Sequence, residues 1–345
     1  MSRSPLGAKL TAWYPRAMLA LACFWFANLY CTARPPYIDL TRYAHGTERM
    51  PFQGRDLMRW PMLAAAHSAA LQHLTAHRHV LHSPEFLVME LTAALSLLLA
   101  GLAAARIYRM AAPGAPLPEL PFALLIILCL FDFVLSVPFS FPYDLPATAL
   151  IGWGSYFALQ RRFWPLLPVF LLGTWNRETT LFLIGVFGLA LASVPDRSQP
   201  TRDHRILSWR NLSPRGYAQL AALAVLWVAI TQTQKFLYRA NPTEAGPRVL
   251  ANVHFLANPL LWPNILSASA FLLPWVYLHR RRIAFAALRN SLLLLPFWVL
   301  LLLSVGQILE LRIYGDISVP IAAAAAVIFV KQAAGTGSVT PEAAR

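Results

Sequence analysis

Three stretches place ionisable side chains where chemistry could use them. The first is Gly173-Thr174-Trp175-Asn176-Arg177-Glu178-Thr179-Thr180, set between apolar runs at 163–172 and 181–192. A charge held at membrane depth costs on the order of 3 kcal/mol, so such residues normally face a bundle interior or a wet cavity. Two readings follow for Arg177 and Glu178: a loop tip closed by its own ion pair, or polar groups lining a pocket with Asn176. The second stretch is the loop 34–60, where Asp39 stands between Arg34 and Arg42 and where Arg49, Arg55 and Arg59 follow. Among cations a carboxylate keeps its charge and can act as a general base. Arginines grip phosphate oxygens through two parallel N–H bonds. A base beside a phosphate clamp is what transfer from a phosphorylated donor needs; the same residue types also build ordinary ion-pair networks. The third stretch is Glu310-Leu311-Arg312 with Tyr314, Gly315 and Asp316.

The elements that must position these groups are helices in a membrane. Of 345 residues, 57% are hydrophobic and only 13% charged, and mean hydropathy is +0.51. A soluble domain of this length would carry far more charge. The net charge of +14 comes in short arginine clusters between apolar runs, with no basic face or motif for nucleic acid. Apolar runs predict about ten spans, near 14–32, 84–105, 119–141, 144–160, 163–175, 179–194, 217–234, 260–278, 284–305 and 317–331. The run at 14–32 follows Arg3, Lys9 and Arg16 and reads as a retained first span rather than a cleaved signal. The pair 163–194 either crosses fully or forms a re-entrant hairpin with its tip at Asn176.

Every short gap on one side of this topology carries at least two basic residues, which places both termini in the cytoplasm. The polar stretches then fall together on the non-cytoplasmic face, where a polar cavity is the simplest account. The expected fold class is therefore all-α and polytopic, a single transmembrane domain over 1–332. Its long first extracytoplasmic loop, 32–83, contains an amphipathic helix at 61–82, lying in the interface with Met62, Leu63, Leu71 and Leu74 toward lipid. Residues 333–345 read as a disordered cytoplasmic tail. Ser83-Pro84-Glu85 is a helix start: a capping hydroxyl, proline in the first turn, an acid at the positive end of the dipole.

A long outer loop with an aspartate soon after the first span resembles the GT-C superfamily of integral-membrane glycosyltransferases. Pro51-Phe52-Gln53-Gly54-Arg55, leading into Arg59-Trp60-Pro61, is similar to the Pro-aromatic-Gln-x-Arg segment of bacterial members and relatives. Asn176-Arg177-Glu178-Thr179, and Glu310-Leu311-Arg312 with Asp316 ahead of Pro320, resemble patches of uncharacterised bacterial proteins of this kind. The likeness covers most of 10–332 in layout and only these patches in residues. It implies a sugar transferred from a polyprenyl-phosphate-linked donor on the outer face of a bacterial cytoplasmic membrane. It implies Asp39 as the general base, Arg55, Arg59, Arg177 and Arg312 on substrate or phosphate, and Glu178, Asn176 and Glu310 in support. Asp39 is followed by Leu40 rather than by a second acid, which departs from many members. No large outer domain is expected after the spans, which also departs from the better-known members.

The alternatives are a non-catalytic protein of envelope biogenesis, whose ion pairs fix helix contacts, and a transporter or flippase for a lipid-linked or anionic substrate. Asp132 and Glu90, both inside apolar runs, would serve the second. His73 and His77, four apart, could share a divalent metal, but no acid or cysteine supports them. Cys23, Cys31 and Cys129 have no metal spacing, and there is no glycine-rich phosphate loop, so no cofactor is expected. Asp144 in Tyr143-Asp144-Leu145-Pro146 reads as a helix cap, and Arg280-Arg281-Arg282 as a topology anchor.

Overall fold

The structure, a computed structural model, describes residues 5–76, 83–135, 138–193, 207–209, 212–244, 246 and 248–336. Among them the chain is all-helical with no strand, only three isolated bridges. The helices are α1 (Pro5–Thr32), α2 (Leu40–His45), α3 (Arg59–Ala66), α4 (Ala69–Ala76), α5 (Pro84–Ala111), α6 (Leu120–Cys129), α7 (Asp144–Leu159) and α8 (Phe163–Asn176). There follow α9 (Phe182–Ala192), α10 (Pro214–Leu237), α11 (Val249–Ala257), α12 (Trp262–Leu266), α13 (Leu272–His279), α14 (Ala286–Ser291), α15 (Leu295–Val305) and α16 (Ser318–Thr336).

Four helical stretches among the described residues are long and apolar enough to cross a membrane: Pro84–Ala111, Pro214–Leu237, Ala286–Ser304 and Leu311–Ala334. The pair Pro259–Leu266 and Ala268–Arg282, bent by 85°, would be a fifth. By length and composition these mark a multi-pass membrane protein. Several other runs expected as spans are shorter than that standard: α7 has 16 residues, and α8 has 14 with Pro168 inside.

α5 starts where capping chemistry placed it: Ser83 Oγ accepts from Phe86 N at 3.1 Å. α5 is the pivot of the bundle, packing on α1, α6, α7 and α16. Close packing depends on small residues, as expected without a hydrophobic force between helices in lipid. A Cβ on Gly101 would lie 2.2 Å from the Phe122 ring, and one on Gly152 2.8 Å from Val319. Ala322, Ala323, Ala324, Ala325 and Ala326 of α16 are all fully buried.

Two expectations are corrected here. The interfacial helix is two short helices, α3 and α4, parted at His67 and Ser68, and Met62 is fully buried in the core rather than turned to lipid. Its end at 77–82, with His77, lies outside the described residues. The tail begins later than 333, because α16 continues to Thr336; residues 337–345 lie outside the described ones.

The first loop is stitched to other loops at one end of the bundle. Ser140 N donates to Pro35 O and Tyr37 N to Ser140 O, both at 3.1 Å. Met50 N donates to Pro242 O at 2.7 Å, and Glu244 N to Met50 O at 2.8 Å. Asn241 Nδ2 reaches Glu48 O at 2.7 Å. That end is where α7 begins, α8 stops and the 3₁₀ turn Leu311–Ile317 leads into α16.

Candidate functional site

At this end three arginines and four carboxylates gather: Arg177, Arg312, Asp144, Asp316 and Glu310 in one linked network, and Arg55 with Glu178 as a pair beside it. Arg177, at the C-cap of α8, is 2% exposed, and its Nη1 lies 3.2 Å from Asp144 Oδ1 and 3.0 Å from Asp316 Oδ1. Arg312 Nη1 donates to the same Asp144 oxygen at 3.0 Å, while its Nε donates to Glu310 Oε1 at 2.6 Å. Asp144 is thus the hub, and its second oxygen accepts from Tyr30 OH at 3.2 Å. Thr179 Oγ1 donates to Asp316 Oδ2 at 2.7 Å. Toward solvent, Arg55 Nη2 pairs with Glu178 Oε1 at 2.9 Å, and Arg55 Nη1 reaches the Tyr143 hydroxyl at 3.2 Å. Buried charges survive only when paired and hydrogen-bonded, and these are nearly so. Two atoms are not: Arg177 Nε and Asn176 Oδ1 are buried without a partner, although Asn176 Nδ2 donates to Tyr143 O at 2.9 Å.

Exposure is graded across the network. The Glu178 side chain is 49% exposed and that of Glu310 32%, whereas Arg55 is at 11% and Asp144 and Asp316 at 0%. Two carboxylates therefore form a rim in front of a guanidinium core. Burial works against charge on Arg55, but Glu178 and the Tyr143 hydroxyl outweigh it and the guanidinium holds its proton more firmly than usual. At Glu310 burial pushes the carboxyl up, and Arg312 more than reverses this, leaving it below the ordinary glutamate value of 4.5.

Aromatic rings connect the network to the loop. The guanidinium of Arg312 lies 3.7 Å from the Phe141 ring centre and that of Arg55 5.0 Å from that of Tyr143. Phe141 in turn contacts Tyr37, Phe52 and Tyr143 at centroid distances of 5.4, 5.8 and 5.5 Å.

The structure brings together Arg55, Arg177, Arg312, Glu178, Asn176 and Glu310, and it rearranges their partners. Arg177 does not pair with its neighbour Glu178, so the loop tip is not closed by its own ion pair; Glu178 belongs to Arg55, 123 positions away. Asp144 is the first residue of α7 rather than its cap, and its carboxylate is spent on two arginines. Arg59 stands nearby but apart, donating to Ala44 O and to the Tyr238 hydroxyl at 2.9 Å.

Asp39 sits outside the network. Its Oδ1 caps α2, accepting from Thr41 N at 2.9 Å and Arg42 N at 3.1 Å. Neither flanking arginine pairs with it: Arg34 donates to Val134 O and Arg42 to Thr47 O. The side chain is exposed, and its second oxygen makes no hydrogen bond among the described residues. Beneath the loop lies Asp56, 1% exposed, with Oδ1 unpartnered. Burial raises the Asp56 carboxyl above 3.8, against the pull of the Tyr238 hydroxyl and Arg59.

Reasoning from sequence missed the central roles of Asp144, Asp316, Tyr143, Thr179 and Tyr30. A signal existed for the first two: three arginines in or beside apolar runs need buried acids, and Asp144 and Asp316 stand at the mouths of such runs. Among the described residues no three His, Cys, Asp or Glu side chains converge as a metal site. Comparison with family models, with curated proteins and with solved structures finds no match.

Proposed function

We propose that this chain is a GT-C-type membrane glycosyltransferase that takes a sugar from a polyprenyl-phosphate-linked donor at the network end of the bundle. The observation that carries the reading is the buried guanidinium core behind a carboxylate rim, assembled from four separate parts of the chain beside a loop that displays a free aspartate. Arg177 Nε remains an unused buried donor there, and a buried donor without a partner favours a ligand that supplies an acceptor. In this reading the acidic residues divide by availability. Asp144, Asp316, Glu178 and Glu310 are held by arginines, while Asp39 keeps one oxygen open and exposed on a rigid cap. Asp39 accepts the proton of an acceptor hydroxyl; that oxygen attacks the anomeric carbon, and the bond from this carbon to the phosphate oxygen breaks. Polyprenyl phosphate leaves with the bonding electrons, and Arg55, Arg59, Arg177 and Arg312 offset its charge. The reading carries about ten spans, both termini in the cytoplasm and the site on the outer face of a bacterial cytoplasmic membrane.

Purified protein given labelled lipid-linked sugars is expected to release polyprenyl phosphate. Asp39→Asn should abolish release while expression and thermal stability hold, because the residue is exposed. Full activity in Asp39→Asn would remove the assigned base.

One observation favours a second reading, transport. The bent pair at 259–282 turns through Ser269, Ala270 and Phe271, all with positive φ, and Ser269 N donates to the buried Asp132 at 2.7 Å. Broken helices meeting an intramembrane acid are a feature of secondary transporters. Loss of function in Asp132→Asn with Asp39→Asn silent would select it.

A further inference from the structure

The opposite end of α7 carries a different kind of site. Asp144 lies in the ion network, and Leu159, 15 residues on at about 1.5 Å each, is roughly 22 Å away. There a cavity enclosing about 620 Å³ opens between the ends of α5 and α7 and the start of α14. Met110, Leu159 and Phe285 give it an apolar wall, while Gln160, Arg161 and Arg162 supply its polar edge. Arg161 takes a left-handed φ of 59°, and its guanidinium caps the end of α9, with Nε donating to Ala190 O at 2.8 Å and Nη2 donating to Ser193 O. Arg162 is exposed, and among the described residues its guanidinium makes one weak bond, Nη1 to Gln160 Oε1 at 3.4 Å, which leaves most of its donors open to them.

Among the described residues most arginines at this end stand without an acid partner. Among the described residues Arg106, Arg109, Arg161, Arg162, Arg280, Arg281, Arg282 and Arg289 have no ion pair; Arg16 with Glu119 is the one pair outside the network end and its adjoining loops. An apolar wall beside open guanidinium donors, inside a basic field, suits an amphipathic anion rather than a free one. We infer that this cavity binds the phosphate headgroup of an anionic membrane lipid. The phosphate oxygens accept from Arg162, and the first methylenes of the lipid lie along Met110, Leu159 and Phe285. The inference stands apart from the glycosyl-transfer reading, since it uses none of the same residues.

The test is native mass spectrometry of the full-length protein after incubation with equal amounts of dioleoyl-phosphatidylglycerol and dioleoyl-phosphatidylcholine. Phosphatidylglycerol adducts should dominate. Arg162→Gln should lower that preference about fivefold, the weight of one basic residue near an anionic surface. Ala287→Trp, which fills the cavity and leaves every charge, should lower it as well. Arg281→Gln, an exposed arginine on no cavity wall, should leave it within about twofold. Equal retention of the two lipids, or an Arg281→Gln effect as large as that of Arg162→Gln, overturns the site in favour of a diffuse basic surface. Displacement of phosphatidylglycerol by millimolar inorganic phosphate overturns the lipid assignment in favour of a free phosphate.

Discussion

Asp144 is the residue on which the polar end of the molecule turns, because one oxygen serves two guanidiniums while the other serves a tyrosine. Breaking a buried pair strands a charge in low dielectric, at about 3–5 kcal/mol. Asp144→Asn should therefore lower unfolding free energy by about 3 kcal/mol in detergent denaturation. Arg55→Gln should lower it by no more than about 1 kcal/mol, since its partner Glu178 is half exposed and screened by solvent. Asp56 gives a prediction of opposite sign. Its folded carboxyl titrates above the unfolded value of 3.8, for reasons of burial, so ionised Asp56 lowers stability at every pH above its folded value and has no effect well below 3.8. Asp56→Asn should melt higher than the parent at neutral pH, and the gap should close as pH falls toward 3.8; a gap that widens on acidification would contradict this. At this scale the sequence disclosed the arginines and concealed the buried acids, Asp144 and Asp316, that they pair with. Arg177 and Glu178 are neighbours in sequence, yet the turn from α8 into the 3₁₀ segment Glu178–Leu181 points them at different partners.

Helix ends and crossings decide where those charges meet. The start of α5 was legible because capping is local chemistry: a hydroxyl, a proline and an acid within three residues. The breaks were not, because they depend on tertiary contacts. The π-helical turn Leu130–Leu135, the left-handed corner Ser269–Phe271 and the 3₁₀ stretch Leu311–Ile317 lie against one another, and Asp132 of the first accepts from Ser269 in the second and from Ser318, the residue that follows the third. Periodicity over apolar residues reports none of this, since the apolar runs pass through the breaks at 130–135 and 269–271 without a proline or glycine to mark them. The crossing of Leu311–Ile317 over the π turn needs glycine: a Cβ on Gly315 would fall 2.0 Å from Phe133. Gly315→Ala should lower the thermal midpoint through overpacking worth about 1–3 kcal/mol. Because Gly315 adjoins Asp316, transfer activity should fall with it; an unchanged midpoint would mean that this contact relaxes freely.

At the scale of the whole molecule, charge is separated along the bundle. Paired acids and arginines gather at one end with the first loop, and at the other, where the lipid cavity opens, most arginines among the described residues have no ion pair. The helical, multi-pass character was evident from composition and apolar runs, because burial in lipid imposes both. The number of crossings was not, since α7 and α8 are short and span 259–282 is bent. The central claim is that the loop aspartate and the arginine network share a wet, non-cytoplasmic face. Single cysteines at positions 39 and 178 test it most directly, read with a membrane-impermeant maleimide on intact cells; Cys23, Cys31 and Cys129 are buried and contribute little background. Both positions should label from outside without permeabilisation. Labelling of either one only after the membrane is opened would contradict the account.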